Sequence, residues 1–253
     1  MRVRDLLVLD GPHDNLVVAA DSIGGIGPKP ADTVAVPGTT TAHFATRVPL
    51  LEVMCVGAEP LAVVNALCVE MDPLGATMLT TVRELAAQAG VPAEAVTGST
   101  EENVATRATG IGVTVVARPG PYGLIAGHAR PGDIVLCAGW PRSAPDDALY
   151  PGHPDLVDID ELRVVLATGM VHDAVPVGSR GVRWEMSQLA GPAELAVSWE
   201  PAGPIPLDQS GGPASCVLLA CAPEDEASIR AHFAAALPVT TVGHLRTSSP
   251  SSP

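Results

Sequence analysis

Aromatic side chains are nearly missing from this chain: Phe, Trp and Tyr together make up 3% of its 253 residues. Its core must therefore be filled mainly by Val, Leu, Ala and Ile. Lysine is scarcer still, because Lys29 is the one lysine and every other basic side chain is an arginine. The formal net charge of −14 excludes nucleic-acid binding driven by overall charge, since a phosphate backbone is repelled. No stretch of about 18 apolar residues runs without a charge or a Pro/Gly break, so a membrane-spanning helix is not expected. Met1-Arg2-Val3-Arg4-Asp5 meets an acid before any long apolar run and lacks the layout of a signal peptide. A cytoplasmic protein is expected. Five cysteines form no CxxC pair, and an odd number suits reduced thiols better than a disulfide framework. Cys55, Cys68 and Cys216 lie in apolar runs and read as small hydrophobes. The seven histidines include no HExxH, so zinc is not expected.

What is present is a well-mixed globular composition, 47% apolar and 17% charged, which argues against disorder. At roughly 150 residues per domain the length allows one large domain or two modest ones. Strand runs at Arg4–Leu9 and Leu16–Ala20 open the chain, and the second ends on Asp21. Helical spacing covers Thr39 to Gly57, followed by a strand over Leu61–Val69. Asp72-Pro73 reads as a helix N-cap with Pro at the first position, opening a helix through Ala89. An apolar strand spans Gly110–Ala117, and the Gly/Pro-rich stretch from Arg118 to Pro131 reads as a domain boundary. Beyond it come strands at 133–138, 195–199, 214–221 and 239–243, and helices at 160–168, 183–189 and 224–236. The Ser/Pro tail reads as disordered. This alternation predicts an α/β or α+β chain in two halves.

Three segments combine glycines with acids beside strands. In Asp21-Ser22-Ile23-Gly24-Gly25-Ile26-Gly27-Pro28-Lys29, glycines let the backbone approach a phosphate and Lys29 adds a compact charge. The spacing matches neither the Walker A loop nor GxGxxG, and a structural turn accounts for it equally. In Arg47-Val48-Pro49-Leu50-Leu51-Glu52, the carboxylate of Glu52 lies among apolar residues and needs a cation, either Arg47 or a metal. In Gly98-Ser99-Thr100-Glu101-Glu102-Asn103, the hydroxyls and acids read either as a capping box or as oxygen ligands for Mg²⁺. Together the three supply amides, a lysine and carboxylates, the makings of a nucleotide-phosphate site.

In that order, with Gly57-Ala58-Glu59-Pro60 after Glu52, these motifs resemble the aminoimidazole-ribotide-synthetase-like ATP-binding superfamily. That group includes thiamin-monophosphate kinase, selenophosphate synthetase and a hydrogenase maturation protein that dehydrates a carbamoyl group. The likeness is greatest to the α-ribazole kinase branch, where a DS(x)GxIGxK opening, an RVxLxExxxxGAxP helix and a GSTExN loop occur together. It covers the chain except its tail. The resemblance implies an N-terminal ATP-binding domain over 1–118 that pairs with its copy through a shared β-barrel. It further implies a C-terminal α+β domain over 119–246, leaving 247–253 as the tail. By the same likeness, Gly25, Gly27, Lys29, Gly98, Ser99, Thr100 and Asn103 would hold ATP, and Asp21, Glu52, Glu101 and Glu102 would hold Mg²⁺. Asp21 and Lys29 would serve catalysis, with Asp21 either a base or a metal ligand.

Two departures bear on function. Asp21 is followed by Ser22, where relatives often pair aspartates. The family's Ser-Asp-Gly motif stands here as Ser179-Arg180-Gly181, a base in place of an acid. The resulting expectation is an ATP- and Mg²⁺-dependent small-molecule kinase acting on the 5′-hydroxyl of α-ribazole for cobamide salvage. The alternatives are a ligase or dehydratase of the same superfamily, or a non-catalytic nucleotide-binding regulator. Trp140, Tyr150 and Trp184 are the aromatic candidates for lining an acceptor pocket. A mean hydropathy of +0.28 despite the charge fits burial of extra surface in a homodimer.

Overall fold

A computed structural model describes residues 1–11, 15–144, 146–201 and 203–248. The chain folds as two compact units, Met1–Met54 with Ala58–Gly120, and Cys55–Gly57 with Pro121 onward.

The first unit contains β1 (Arg2–Val3), β2 (Leu6–Leu9), β3 (Leu16–Gly24), β4 (Ile26–Gly27), β5 (Val34–Ala35), α1 (Gly38–Cys55), β6 (Ala58–Leu67), α2 (Ala76–Gln88), β7 (Val96–Thr100) and β8 (Gly110–Pro119). Six strands form one sheet in the order β1-β2-β3-β8-β6-β7. Period-two alternation sends Val17, Ala19, Ile111, Val113, Val115, Val63 and Leu67 to one buried face. Helices α1 and α2 contribute Phe44, Leu50, Leu51, Met78, Val82 and Leu85 to the buried set. The opposite sheet face stays open. There Leu7, Leu9 and Leu16 are 47%, 44% and 38% exposed, with Val64 at 40%.

The second unit contains β9 (Ile134–Ala138), α3 (Ile159–Ala167), β10 (Val171–Pro176), α4 (Gly181–Ala190), β11 (Leu195–Trp199), β12 (Val217–Cys221), α5 (Glu226–Ala231) and β13 (Val239–Thr247). Its five-stranded sheet, β10-β12-β9-β13-β11, is antiparallel throughout. Strands β9 and β12 are buried along their whole length, which is why both read as unbroken apolar runs. They pack with Val175, Val182, Met186, Leu189 and Leu245 into the core.

Several local expectations change. Asp72 has the extended backbone of an N-cap residue, φ −108° and ψ 125°, but α2 itself starts later, at Ala76 after Gly75. Strand β10 escapes the sequence pattern because His172 and Asp173 interrupt its apolar run. Both are internally paired: His172 Nδ1 lies 2.9 Å from an Asp133 oxygen, and Asp173 accepts from Gly127 N at 2.7 Å. The last helix stops at Ala231, well short of Ala236. Thr247, assigned above to the tail, ends β13, and the Ser248 hydroxyl donates to Glu194 O at 2.7 Å. The tail beyond Ser248 lies outside the described residues. Cys68 is exposed, whereas Cys55, Cys137, Cys216 and Cys221 are buried free thiols.

Candidate active site

Strand directions decide where the three glycine-and-acid segments fall. Both β3 and β6 run antiparallel to β8, and β7 runs parallel to β6. The C-terminal ends of β3, β6 and β7 therefore share one end of the sheet with the start of β8. Asp21-to-Lys29, the segment after Leu67, and Thr100-to-Asn103 all leave the sheet there.

Strand β3 pairs with β2 only as far as Val18, then continues against β8 alone. Asp21 lies on this extension opposite Val113, on the same face as Val17 and Ala19. Burial pushes its carboxyl above the ordinary aspartate value, with the Ser22 backbone N–H pulling weakly the other way. No ion pair reaches Asp21 among the described residues.

The glycine segment is fastened to the loop before β8. Gly25, at φ +72°, donates to Thr109 O at 2.9 Å and accepts from Thr33 N at 2.7 Å. The left-handed backbone there favours glycine. A Cβ on Gly27 would lie 2.6 Å from Thr109 Cβ and 2.9 Å from Asp32 Oδ2. Asp32 accepts from Lys29 N at 2.8 Å, from Thr109 N at 2.7 Å and from the Thr109 hydroxyl at 2.7 Å. Burial opposes its ionisation, but these bonds and the Lys29 charge outweigh that and lower its pKa. Strand β7 shows the same economy, since a Cβ on Gly98 would lie 2.6 Å from Asn65 Cγ. Internal packing thus accounts for glycine at 27 and 98 before any ligand is invoked.

Lys29 is largely enclosed, with its side chain 14% exposed. Its ammonium is paired with the Glu70 carboxylate and donates to Thr106 O at 3.1 Å. Glu70 also accepts from Thr106 N at 2.7 Å and from the Thr106 hydroxyl at 3.3 Å. The Lys29 contact foremost, with these N–H donors, holds the Glu70 carboxyl down to about 2. Asp32, Glu70, Thr106 and Thr109 were not singled out in the sequence. Glu70 carried a usable signal, because like Asp21 it is an acid directly following an apolar strand run.

The acids after β7 are ordered by the loop itself. Glu101 Oε1 accepts from Asn103 N at 2.6 Å and Val104 N at 3.3 Å. Glu102 Oε1 accepts from the Thr100 hydroxyl at 2.8 Å and Met71 N at 3.3 Å. Ser99 is exposed on edge strand β7, and Asn103 on the loop beyond it. Glu52 is placed differently. The start of α1 is pinned to the glycine segment by the Thr41 hydroxyl donating to Ile26 O at 2.9 Å. Glu52 lies about 16 Å beyond Thr41 along the axis, at roughly 1.5 Å per residue. It is half-buried near a buried Arg47, and neither side chain lacks a partner. One helical turn before Arg47, His43 is pulled down to about 4 by burial and the Arg47 charge, so it is neutral at pH 7.

At this sheet end the acids Asp21, Asp32, Glu70, Asp72, Glu101 and Glu102 outnumber the cations Lys29 and Arg107. A polyphosphate would be repelled unless a cation accompanied it. Among the described residues no three His, Cys, Asp or Glu side chains gather into a metal-binding group. Mg²⁺ does not require one, since it keeps waters and takes one or two carboxylates beside substrate phosphates. The desolvated Asp21 carboxylate fits that demand.

In the second unit the Ser179-Arg180-Gly181 turn opens α4. Gly181 has φ +77°, and a Cβ there would meet Gln209 O at 2.7 Å, so the Asp208–Pro213 segment packs against it as a turn. The Arg180 guanidinium lies 4.2 Å from the centroid of the Trp184 ring. Arg183 is bidentate to Asp208 at 2.7 and 3.0 Å. Tyr150 and Trp184 are exposed, while Trp140 packs against the core.

No protein-family model matches the sequence, and no curated protein does. Solved structures do match. The protein tt0281 from Thermus thermophilus superposes with a TM-score of 0.66 at 17% identity, over 97% of this chain and 87% of that one. Thiamine-monophosphate kinase from Stenotrophomonas maltophilia K279a gives 0.64 at 16%, over 97% and 90%. T. maritima PurL complexed with ATP gives 0.65 at 16%, over 95% of this chain but 42% of its own. The fold these structures share with the chain is a mixed α+β architecture, the fold class that the motif resemblance implies.

Proposed function

We propose that this chain is an ATP- and Mg²⁺-dependent phosphotransferase that phosphorylates a small-molecule hydroxyl, the 5′-hydroxyl of α-ribazole. One observation carries the reading: a partly desolvated carboxylate without an ion-pair partner among the described residues, Asp21, shares one sheet end with Lys29 and the Glu101–Glu102 loop. The shared fold with a thiamine-monophosphate kinase and with a PurL that binds ATP supports a nucleotide there. The acceptor rests on the motif resemblance.

In the reaction, the acceptor oxygen bonds to the γ-phosphorus, the bond to the β–γ bridging oxygen breaks, and ADP leaves as the hydroxyl proton is lost. Such chemistry depends on positioning and on charge stabilisation. Asp21, Glu101 and Glu102 would hold Mg²⁺, which neutralises phosphate charge when bound. Glu52, remote along α1, would belong to this set only through another part of the assembly. Lys29 has three N–H donors, two of them taken by Glu70 and Thr106, and the third is assigned to phosphate. Gly25, Gly27, Gly98, Ser99, Thr100 and Asn103 would border the nucleotide. Asp21 either orients the acceptor hydroxyl as a base or ligates the ion.

Purified protein incubated with Mg-ATP and α-ribazole, followed by phosphorus NMR, should yield ADP and α-ribazole 5′-phosphate. ATP consumption without a phosphorylated nucleoside would move the protein to the ligase or dehydratase branch. ATP binding without turnover on any hydroxyl acceptor would make it a regulator, and Arg180 in place of the family acid argues against thiamin-phosphate chemistry.

A further inference from the structure

Glu70 joins two parts of the site that are far apart in sequence. One oxygen pairs with the Lys29 ammonium and the other accepts from Thr106 N at 2.7 Å, while Lys29 itself donates to Thr106 O at 3.1 Å. The three residues close a ring of contacts linking the glycine segment, the end of β6 and the loop before β8. The Glu70 carbonyl is anchored as well, accepting from Gly75 N at 3.0 Å. A Cβ at Gly75 would come within 2.8 Å of that carbonyl oxygen, which keeps the turn tight. A lysine has four rotatable side-chain bonds and loses much rotamer freedom when fixed. Here the contacts to Glu70 and Thr106 supply that ordering from within the chain.

We infer that Glu70 is the positioning residue of the nucleotide site: it holds the Lys29 ammonium in place and ties it to the loop carrying Glu101 and Glu102. This rests on the Mg-ATP reading above. Glu70 touches no phosphate in this role. It acts through Lys29, so its loss should change nucleotide affinity more than the fold. A glutamine at this position keeps an oxygen for Thr106 N but cannot pair with an ammonium as a carboxylate does.

The single lysine makes the test clean. Protein grown with ¹³C-labelled lysine shows one lysine Cε signal, that of Lys29. Without nucleotide, Glu70→Gln should move this signal toward that of a free lysine. Mg-ATP titrated by calorimetry should then bind about tenfold more weakly to Glu70→Gln, the size of one charge-assisted hydrogen bond, with melting little changed. Glu70→Asp should recover part of the loss. An unmoved lysine signal in Glu70→Gln overturns the pairing. A moved signal with wild-type affinity overturns the positioning role and leaves the nucleotide reading standing. If the wild-type protein binds no Mg-ATP while its lysine signal still depends on residue 70, the nucleotide reading itself has failed and this inference falls with it.

Discussion

At the residue scale, three acids at one sheet end respond oppositely to their surroundings. Glu70 and Asp32 are held below their ordinary values by donors and by Lys29. Their stabilisation is present above the unfolded carboxylate range and fades with acid, for Glu70 between 4.5 and about 2. Asp21 has the reverse sign. Burial raises its pKa, so its protonated form suits the fold, and stability is lost as pH rises through that raised value. Burial thus works against the ionised form of Asp21, as at carboxylates kept where a cation or a substrate is to be met. Asp21→Asn removes that burden. It should raise the melting temperature at pH 7 and lower kcat/KM of the proposed phosphotransfer on the order of a hundredfold. Differential scanning calorimetry beside a coupled ADP assay checks both, and a variant that melts lower than wild type would remove the argument that Asp21 is unpartnered.

At the element scale, legibility followed the reach of the interactions. Strands β8 and β11 and the central helices were readable because alternation, apolar period and glycine breaks are local properties. Strand β10 was not, because His172 and Asp173 find partners in Asp133 and Gly127, 39 and 46 positions away. Segment 98–100 looked like a loop but is edge strand β7, its glycine admitted by the neighbour Asn65. The site divides the same way. Asp21, Lys29, Glu101 and Glu102 could be found as acids and cations at strand ends, whereas Asp32 and Glu70 act across 77 and 36 positions to Thr109 and Thr106. Glycine substitutions test this packing account. Gly98→Ala forces a Cβ into the Asn65 backbone and side chain and should cost about 2 kcal/mol. Gly24→Ala, with nothing within 4 Å of its Cβ, should be nearly neutral. Urea unfolding followed by circular dichroism measures both, and equal stabilities would show that β7 is not held against Asn65 as described.

At the scale of the whole molecule, the first unit leaves one side of its sheet uncovered. Leu7 faces the same side as Val18, Leu9 lies opposite Leu16, and Val64 and Val116 continue the apolar surface across β6 and β8. A contiguous apolar patch of this kind on a sheet marks an interaction surface. The occupant proposed is a second copy of this chain, as the motif resemblance implies, because a two-fold axis lets one self-complementary face cover itself. A single charge near the centre of that face separates this from a merely tolerant surface, since desolvating an unpaired carboxylate at an interface costs several kcal/mol, whereas in an isolated chain it would stay in water. Light scattering at micromolar concentration should therefore give the mass of two chains for the wild type and of one chain for Val64→Glu, with the melting of each unit preserved. A wild-type mass of one chain, with Mg-ATP binding intact, would show that the open face serves some other partner and that the nucleotide site is complete within a single chain.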